Sequence, residues 1–220
     1  MKILISFFFG LLISLIFPPY FFLPLGLIFF PFICFFVDTK SNSLKKINFF
    51  IYCFFSSFGF FLSFIFWIQN PFFVFEETKQ YIFLVIFLIV IFSFILSVLI
   101  TYVAYNLKFI PITFLIPLIL SFYEFILSNF IYGFPWLSFS LAISGNDRLL
   151  LLINNYGTLI TSYLVLQFFC LPYLFFEKFK FSSNTIIFLN FLFLPLSIVL
   201  IVNSSYMKKN NNLEKNINVE

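Results

Sequence analysis

The sequence predicts an all-α polytopic membrane protein, a bundle of about seven transmembrane helices. Three observations carry that prediction. Of 220 residues, 63% are hydrophobic and only 9% charged, against roughly a quarter charged in soluble domains. Mean hydropathy is +1.13. The charged residues collect in short clusters between apolar runs long enough to cross a hydrocarbon core of about 30 Å, which takes about 20 helical residues.

The first run, residues 3–17, follows Lys2 and stops at Phe17, Pro18 and Pro19. A secretory signal needs small residues at its cleavage point, so this run reads as an uncleaved first span, short at about 22 Å. Residues 20–37 are the second span, carrying Pro24, Gly26 and Pro31. Such breakers are tolerated where neighbouring helices satisfy the freed backbone groups. The first two spans form a helical hairpin, and residues 38–48, DTKSNSLKKIN, form the first loop. Residues 49–68 are the third span; the loop after it contains Glu76, Glu77 and Lys79.

Residues 81–105 are the fourth span, in which Ser93, Ser97 and Thr101 recur every four residues. That spacing puts small side chains on one face and lets another helix approach closely. The fifth span, residues 109–127, is softened by Pro111 and Pro117. The sixth, residues 149–176, opens with Asn154, Asn155 and Gly157, the last a candidate close-contact residue. Residues 185–202 are the seventh. Residues 1–203 are thus the membrane domain and 204–220 a polar connector, whose final residues 216–220 alternate polar and apolar with the period of a strand.

Loop charge sets the orientation. With a cytoplasmic N-terminus, Lys2, Lys40, Lys45, Lys46, Lys108, Lys178 and Lys180 face inward, and only Lys79 and Arg148 face outward up to the seventh span. Cytoplasmic loops carry the excess of Lys and Arg, so the N-terminus is inside. After seven spans the connector emerges on the outer face, the periplasm of a bacterium with two membranes.

Several chemistries drop out. There is no His, which removes Ser/His and Cys/His nucleophiles and His-ligated metals. Cys34, Cys53 and Cys170 lie in apolar runs without CxxC spacing and read as packing residues, not disulfide partners. No metal site, cofactor or nucleic-acid partner is expected. The 43 Phe residues reflect the codon bias of an AT-rich genome, since Phe and Leu insert into a bilayer almost equally well.

One stretch carries more information than membrane crossing needs: residues 124–138, EFILSNFIYGFPWLS. Glu124 lies inside an apolar helix, where a carboxylate needs a partner or a proton. Ser121 and Ser128 share its helical face, and Arg148, at the outer end of the next helix, is a candidate cation for it. Pro135 forces Phe134 into an extended conformation and Gly133 permits a turn, which aims Trp136 at the membrane interface. Interfacial aromatics settle at headgroup depth.

The spacing of Glu124 to GFPWLS resembles the membrane domain of the apolipoprotein N-acyltransferases. The order of the other features is similar too: Phe17, Pro18 and Pro19 closing the first helix, Gly59 and Trp67 in the third, and Asn155, Tyr156 and Gly157 in the sixth. The resemblance spans essentially the whole chain. It departs at Leu127, where the family usually has Arg, and the family's nitrilase-like catalytic domain is absent from these 220 residues.

The resemblance implies a bacterial inner-membrane acyltransferase of lipoprotein biosynthesis. A phospholipid donates an acyl chain to a catalytic Cys, and the thioester passes it to the N-terminal diacylglyceryl-cysteine of an apolipoprotein. The family's catalytic Glu, Lys and Cys have no counterpart here, so this chain alone is expected to be inactive, with a catalytic domain encoded separately or further along. Gly133, Phe134, Pro135 and Trp136 are then the expected lipid entrance, with Glu124 and Arg148 as intramembrane polar residues and no catalytic residue in the chain. Two alternatives stand beside this reading: a non-catalytic membrane scaffold, and a small transporter. A transporter would call for discontinuous or charged helices near the midplane and an internal repeat.

Overall fold

The computed structural model describes residues 2–65, 70, 72–74, 76–107, 110–130 and 138–175. Six α-helices occur among these residues, and no strand: α1 (Lys2–Ile13), α2 (Gly26–Ser43), α3 (Lys46–Ile65), α4 (Ile82–Asn106), α5 (Ile112–Phe130) and α6 (Asp147–Cys170). Among the described residues, five helical stretches are long and apolar enough to cross a membrane: Leu23–Ser43, Lys46–Ile65, Glu76–Asn106, Ile112–Asn129 and Asp147–Leu174. Lys2–Ile16 is a shorter apolar helix. The protein is therefore a helical membrane protein. The expected seventh span and the connector lie outside the described residues, as does Trp67.

Helix α4 shows what solvent this fold was built for. Val85, Ile89, Phe92 and Leu96 point into the bundle, while Phe83, Phe87, Phe94 and Val98 point out, and both faces are apolar. A helix apolar all round belongs in a core or a bilayer. Inside lipid there is no hydrophobic gain from pairing such helices, so close packing and buried hydrogen bonds hold them together.

Close packing is clearest between α1 and α3. A Cβ on Gly10 would collide with the carbonyl oxygen of Ser56, and one on Gly59 with that of Phe7. Further along the same seam the Ser14 hydroxyl bonds Ser63 Oγ at 2.6 Å. Small residues on both helices bring the two backbones together, and α1 lies parallel along α3. Helix α2 instead leans on α6: a Cβ on Gly26 would meet the Phe169 ring, Phe30 stacks on that ring at 5.4 Å, and the thiols of Cys34 and Cys170 touch. Both are buried free thiols, in keeping with their reading as packing residues.

The centre of the bundle is aromatic. Phe61 meets Phe92 at 6.0 Å and Tyr123 at 5.9 Å, joining α3, α4 and α5. The fully buried Tyr123 hydroxyl donates to the Phe92 carbonyl at 2.9 Å, so the polar tip is satisfied on a neighbouring helix. On the serine face of α4, Ser93 and Ser97 are fully buried, and each hydroxyl bonds back to a carbonyl four residues earlier, Ile89 and Ser93 respectively. Thr101 departs from this pattern: its buried hydroxyl has no hydrogen-bond partner.

The expected hairpin of the first two spans does not close, since α1 packs chiefly on α3 and α2 on α6. Two further expectations need correction. The second helix begins at Gly26, after a 3-10 turn over Leu23–Leu25, and runs on through Asp38 to Ser43, into the stretch read as a loop. Polar side chains carry it there. The Thr39 hydroxyl donates to Phe35 O, the Asn42 amide to Asp38 O, and the Tyr173 hydroxyl reaches Asp38 Oδ2 at 3.0 Å from beyond α6. The loop proper shrinks to the turn at Leu44 and Lys45, held by the Tyr105 hydroxyl on Leu44 O at 2.6 Å. Secondly, α6 is discontinuous. Gly157 has φ 77 and ψ 171, a region essentially reserved for glycine, and a Cβ there would meet nothing within 4 Å. Gly157 is thus a backbone break and not a close-contact residue.

These arrangements make two testable statements. Gly10→Ala should destabilise the bundle by about 1–3 kcal/mol, the usual range for overpacking. A lowered midpoint in detergent thermal unfolding would register it, whereas Gly145→Ala, which meets only the Phe21 ring, should be milder. Gly157→Ala should lose about 1–3 kcal/mol through backbone strain alone, with no compensation from enlarging or trimming the side chains nearby.

Candidate functional site

Glu124 lies six residues before the end of α5, on the face turned to α6. The residue is 3% exposed. Burying such a group is tolerable only where its lone pairs are met by donors. The Ser138 hydroxyl donates to Oε1 at 2.8 Å, the Phe139 backbone N–H donates to Oε2 at 3.0 Å, and the Ser162 hydroxyl on α6 bonds the same carboxylate.

A second layer orients these donors. Ser138 Oγ and Ser140 Oγ are 2.6 Å apart. Because the single Ser138 proton is committed to Glu124, hydrogen counting makes Ser140 the donor of that pair. The Ser140 N–H donates to Ser162 Oγ at 2.8 Å. Ser138, Ser140 and Ser162 are all buried, so the knot is shut off from solvent and every polar atom in it has a partner.

The Phe139 N–H opens the 3-10 turn Phe139–Ile143, whose N-cap Ser138 makes no capping bond with its own side chain. Glu124 supplies the missing cap from another helix, placing an acceptor where the first N–H groups of a turn are unsatisfied. One carboxylate thereby ties three segments: the end of α5, the chain just after GFPWL, and α6 beyond its break. The turn is wedged from the other side by aromatics, since the Phe139 ring meets Phe17 at 5.9 Å and Phe60 at 6.3 Å.

The residues singled out from sequence fall into three groups. Gly133, Phe134, Pro135 and Trp136 lie outside the described residues. Glu124 is at the centre of the knot, but neither same-helix serine serves it: Ser128 bonds Phe125 O, and the buried Ser121 hydroxyl has no partner. Arg148 is exposed in the first turn of α6, its N–H held by the Asn146 side chain at 3.0 Å, and it is not among the donors to Glu124. Leu127, where the resemblance calls for Arg, is fully buried in the core. Sequence reading passed over Ser138, Ser140 and Ser162. The available signal was weak: polar residues two apart directly after GFPWL, and one more inside an apolar helix. Among the described residues no group of three or more His, Cys, Asp or Glu side chains could hold a metal.

Removing the acceptor strands three donors, so Glu124→Ala should cost about 2–4 kcal/mol, given about 1–3 kcal/mol for each buried group left unmet and partial relaxation. The loss should appear as reduced folded yield in detergent. Exchanging charges in a Glu124→Arg, Arg148→Glu double variant should give no rescue relative to Glu124→Arg alone, since hydroxyl and amide donors, not a guanidinium, satisfy the carboxylate.

No curated protein matches the chain. The family model of the apolipoprotein N-acyltransferase N-terminal domain matches residues 9–171. That interval runs from the Gly10 seam through the Glu124 knot and the Gly157 break to the end of α6, and so takes in most of the chain. The chain belongs to the apolipoprotein N-acyltransferase N-terminal domain family.

Proposed function

We propose that the chain is the membrane domain of an apolipoprotein N-acyltransferase in a bacterial inner membrane, with its N-terminus cytoplasmic and the 133–136 bend at the periplasmic face. The single observation that carries this reading is the buried Glu124 cap. It fixes Ser138 and Phe139, immediately after the bend, to α5 and α6, inside the interval matched by the family. The described chain from Ser138 to Ile143, anchored in that way, holds a fixed place at one end of the bundle.

In the complete reaction a catalytic thiol takes an acyl group from a phospholipid ester, releasing the lysophospholipid. The α-amino group of a diacylglyceryl-cysteine then attacks the thioester, forming the amide and freeing the thiol. Both substrates are anchored in lipid, so the catalytic head must stand where acyl chains reach it sideways. Gly133, Phe134, Pro135 and Trp136 form the lipid entrance in this reading, and Glu124 is a positioning residue beneath it. The chemistry belongs to a nitrilase-like head carried by the same polypeptide or encoded separately. The hydroxyls around Glu124, on Ser138, Ser140 and Ser162, are all buried in the knot, so no acyl donor reaches them and the carboxyl positions the chain without activating a nucleophile. The lysines at the start of α1, the end of α2 and the start of α3 support the orientation.

Two measurements test this. A Trp136→Cys variant in whole cells should react with a membrane-impermeant maleimide applied from outside; labelling only after the cytoplasm is opened would invert the topology and end the proposal. The 220-residue polypeptide in phospholipid vesicles should transfer no acyl chain to a diacylated lipopeptide. Measurable turnover would place the chemistry within these helices.

A further inference from the structure

The two packing seams hold α1 and α2 apart except where the Phe9 and Phe29 rings meet at 5.1 Å. Gly10 and Gly59 hold α1 on α3, while Gly26, Phe30 and Cys34 hold α2 on α6. Between them is left a cavity of about 440 Å³, within the range of sites that hold one small amphiphile. Its walls are apolar, with Phe9 on α1, Ile33 and Phe36 on α2, and Leu96 and Ile116 from α4 and α5 deeper in. Ile5, Phe32 and Phe35 also line it and are more than half exposed. On a membrane helix, exposure of that kind means contact with lipid, so the cavity opens sideways into the bilayer.

Its charged residues sit together. Lys2 and Lys40 line the cavity at the end where α1 begins and α2 finishes, which is headgroup depth. The hydroxyls beside them are already committed, Ser6 to Lys2 O and Thr39 to Phe35 O, and among the described residues neither ammonium pairs with a carboxylate. This end is opposite the Glu124 knot, because α1 runs about fifteen residues, or roughly 22 Å, from Lys2 to the Phe17 ring that packs against Phe139.

We propose that this cavity binds one anionic phospholipid, an acyl chain between α1 and α2 and its phosphate at Lys2 and Lys40. An apolar slot open to the bilayer selects an acyl chain, and two cations at its mouth select net negative charge over a zwitterionic headgroup, whose own ammonium would face them. The lipid fills the wedge that the two seams leave, setting the separation of α1 and α2. Its phosphate would sit at the end of the bundle away from the Glu124 knot, while the slot reaches inward as far as the Phe139 side chain, and the inference stands without the acyl-transfer reading.

The test uses the full chain in phosphatidylcholine vesicles containing a minority of phosphatidylglycerol. Trace phosphatidylglycerol bearing a photoreactive acyl chain is compared with matched photoreactive phosphatidylcholine, and the labelled residues are mapped by mass spectrometry. The phosphatidylglycerol probe should mark the walls around Phe9 and Ile33. A Lys2→Gln, Lys40→Gln variant, altered only at exposed positions, should lose roughly tenfold of that labelling, as expected for two lysines at an anionic headgroup. Equal labelling by both probes, labelling spread over the outward rings of Phe83, Phe87 and Phe94, or indifference to the lysine changes would overturn the proposal. So would a crosslink from an Ile33→Cys variant to residues 185–202 or to a second copy, since either would show that protein fills the slot.

Discussion

A carboxyl group in a bilayer has no water to fall back on, and one end of this bundle is arranged around that fact. Glu124 needs donors, and the chain delivers them from positions 138, 139 and 162, breaking α6 at Gly157 before the last of them. Stranding any of the three would leave a polar group in a medium of low dielectric, where its penalty is largest. The knot therefore works in one direction as a demand on the fold and in the other as a clamp. Segments far apart in sequence cannot separate without leaving the Glu124 carboxyl group and its donors unmet.

The remaining helices are joined by weaker but more numerous forces. Shape does the selecting: Gly10 and Gly59 admit a neighbouring backbone that no larger residue would, and Gly26 admits a ring. Aromatic side chains then fill what glycine leaves open, as with Phe61 between Phe92 and Tyr123. Abundant Phe fits this role without needing any purpose specific to it, because rings with edge and face contacts tile irregular gaps between helices.

Much of this was legible in the sequence where composition alone decides. Helices α3, α4 and α5 stand close to the apolar runs that announced them, and the importance of Glu124 followed from its being a carboxylate in such a run. The errors arose where a local rule met a tertiary partner. Asp38, Thr39 and Asn42 read as loop because they are polar, yet helical back-bonds and Tyr173 keep them in α2. Gly157 read as a contact because small residues usually are in membranes, whereas its φ of 77 reveals a break. Ser121 and Ser128 were the natural partners for Glu124 by helical spacing, but the serines that serve it come from outside the helix, at separations of 14 and 38 residues that no periodicity encodes.

The bond from Tyr173 to Asp38 carries an implication of parity. It fastens the far end of α6 to the lysine-bearing end of α2, on the side of the bundle away from Glu124. Any part of the polypeptide beyond residue 175 that is to work beside the Glu124 rim must traverse the bilayer an odd number of times to arrive there. Adding or deleting a single crossing downstream would deliver it to the wrong compartment, however well the first six helices were assembled.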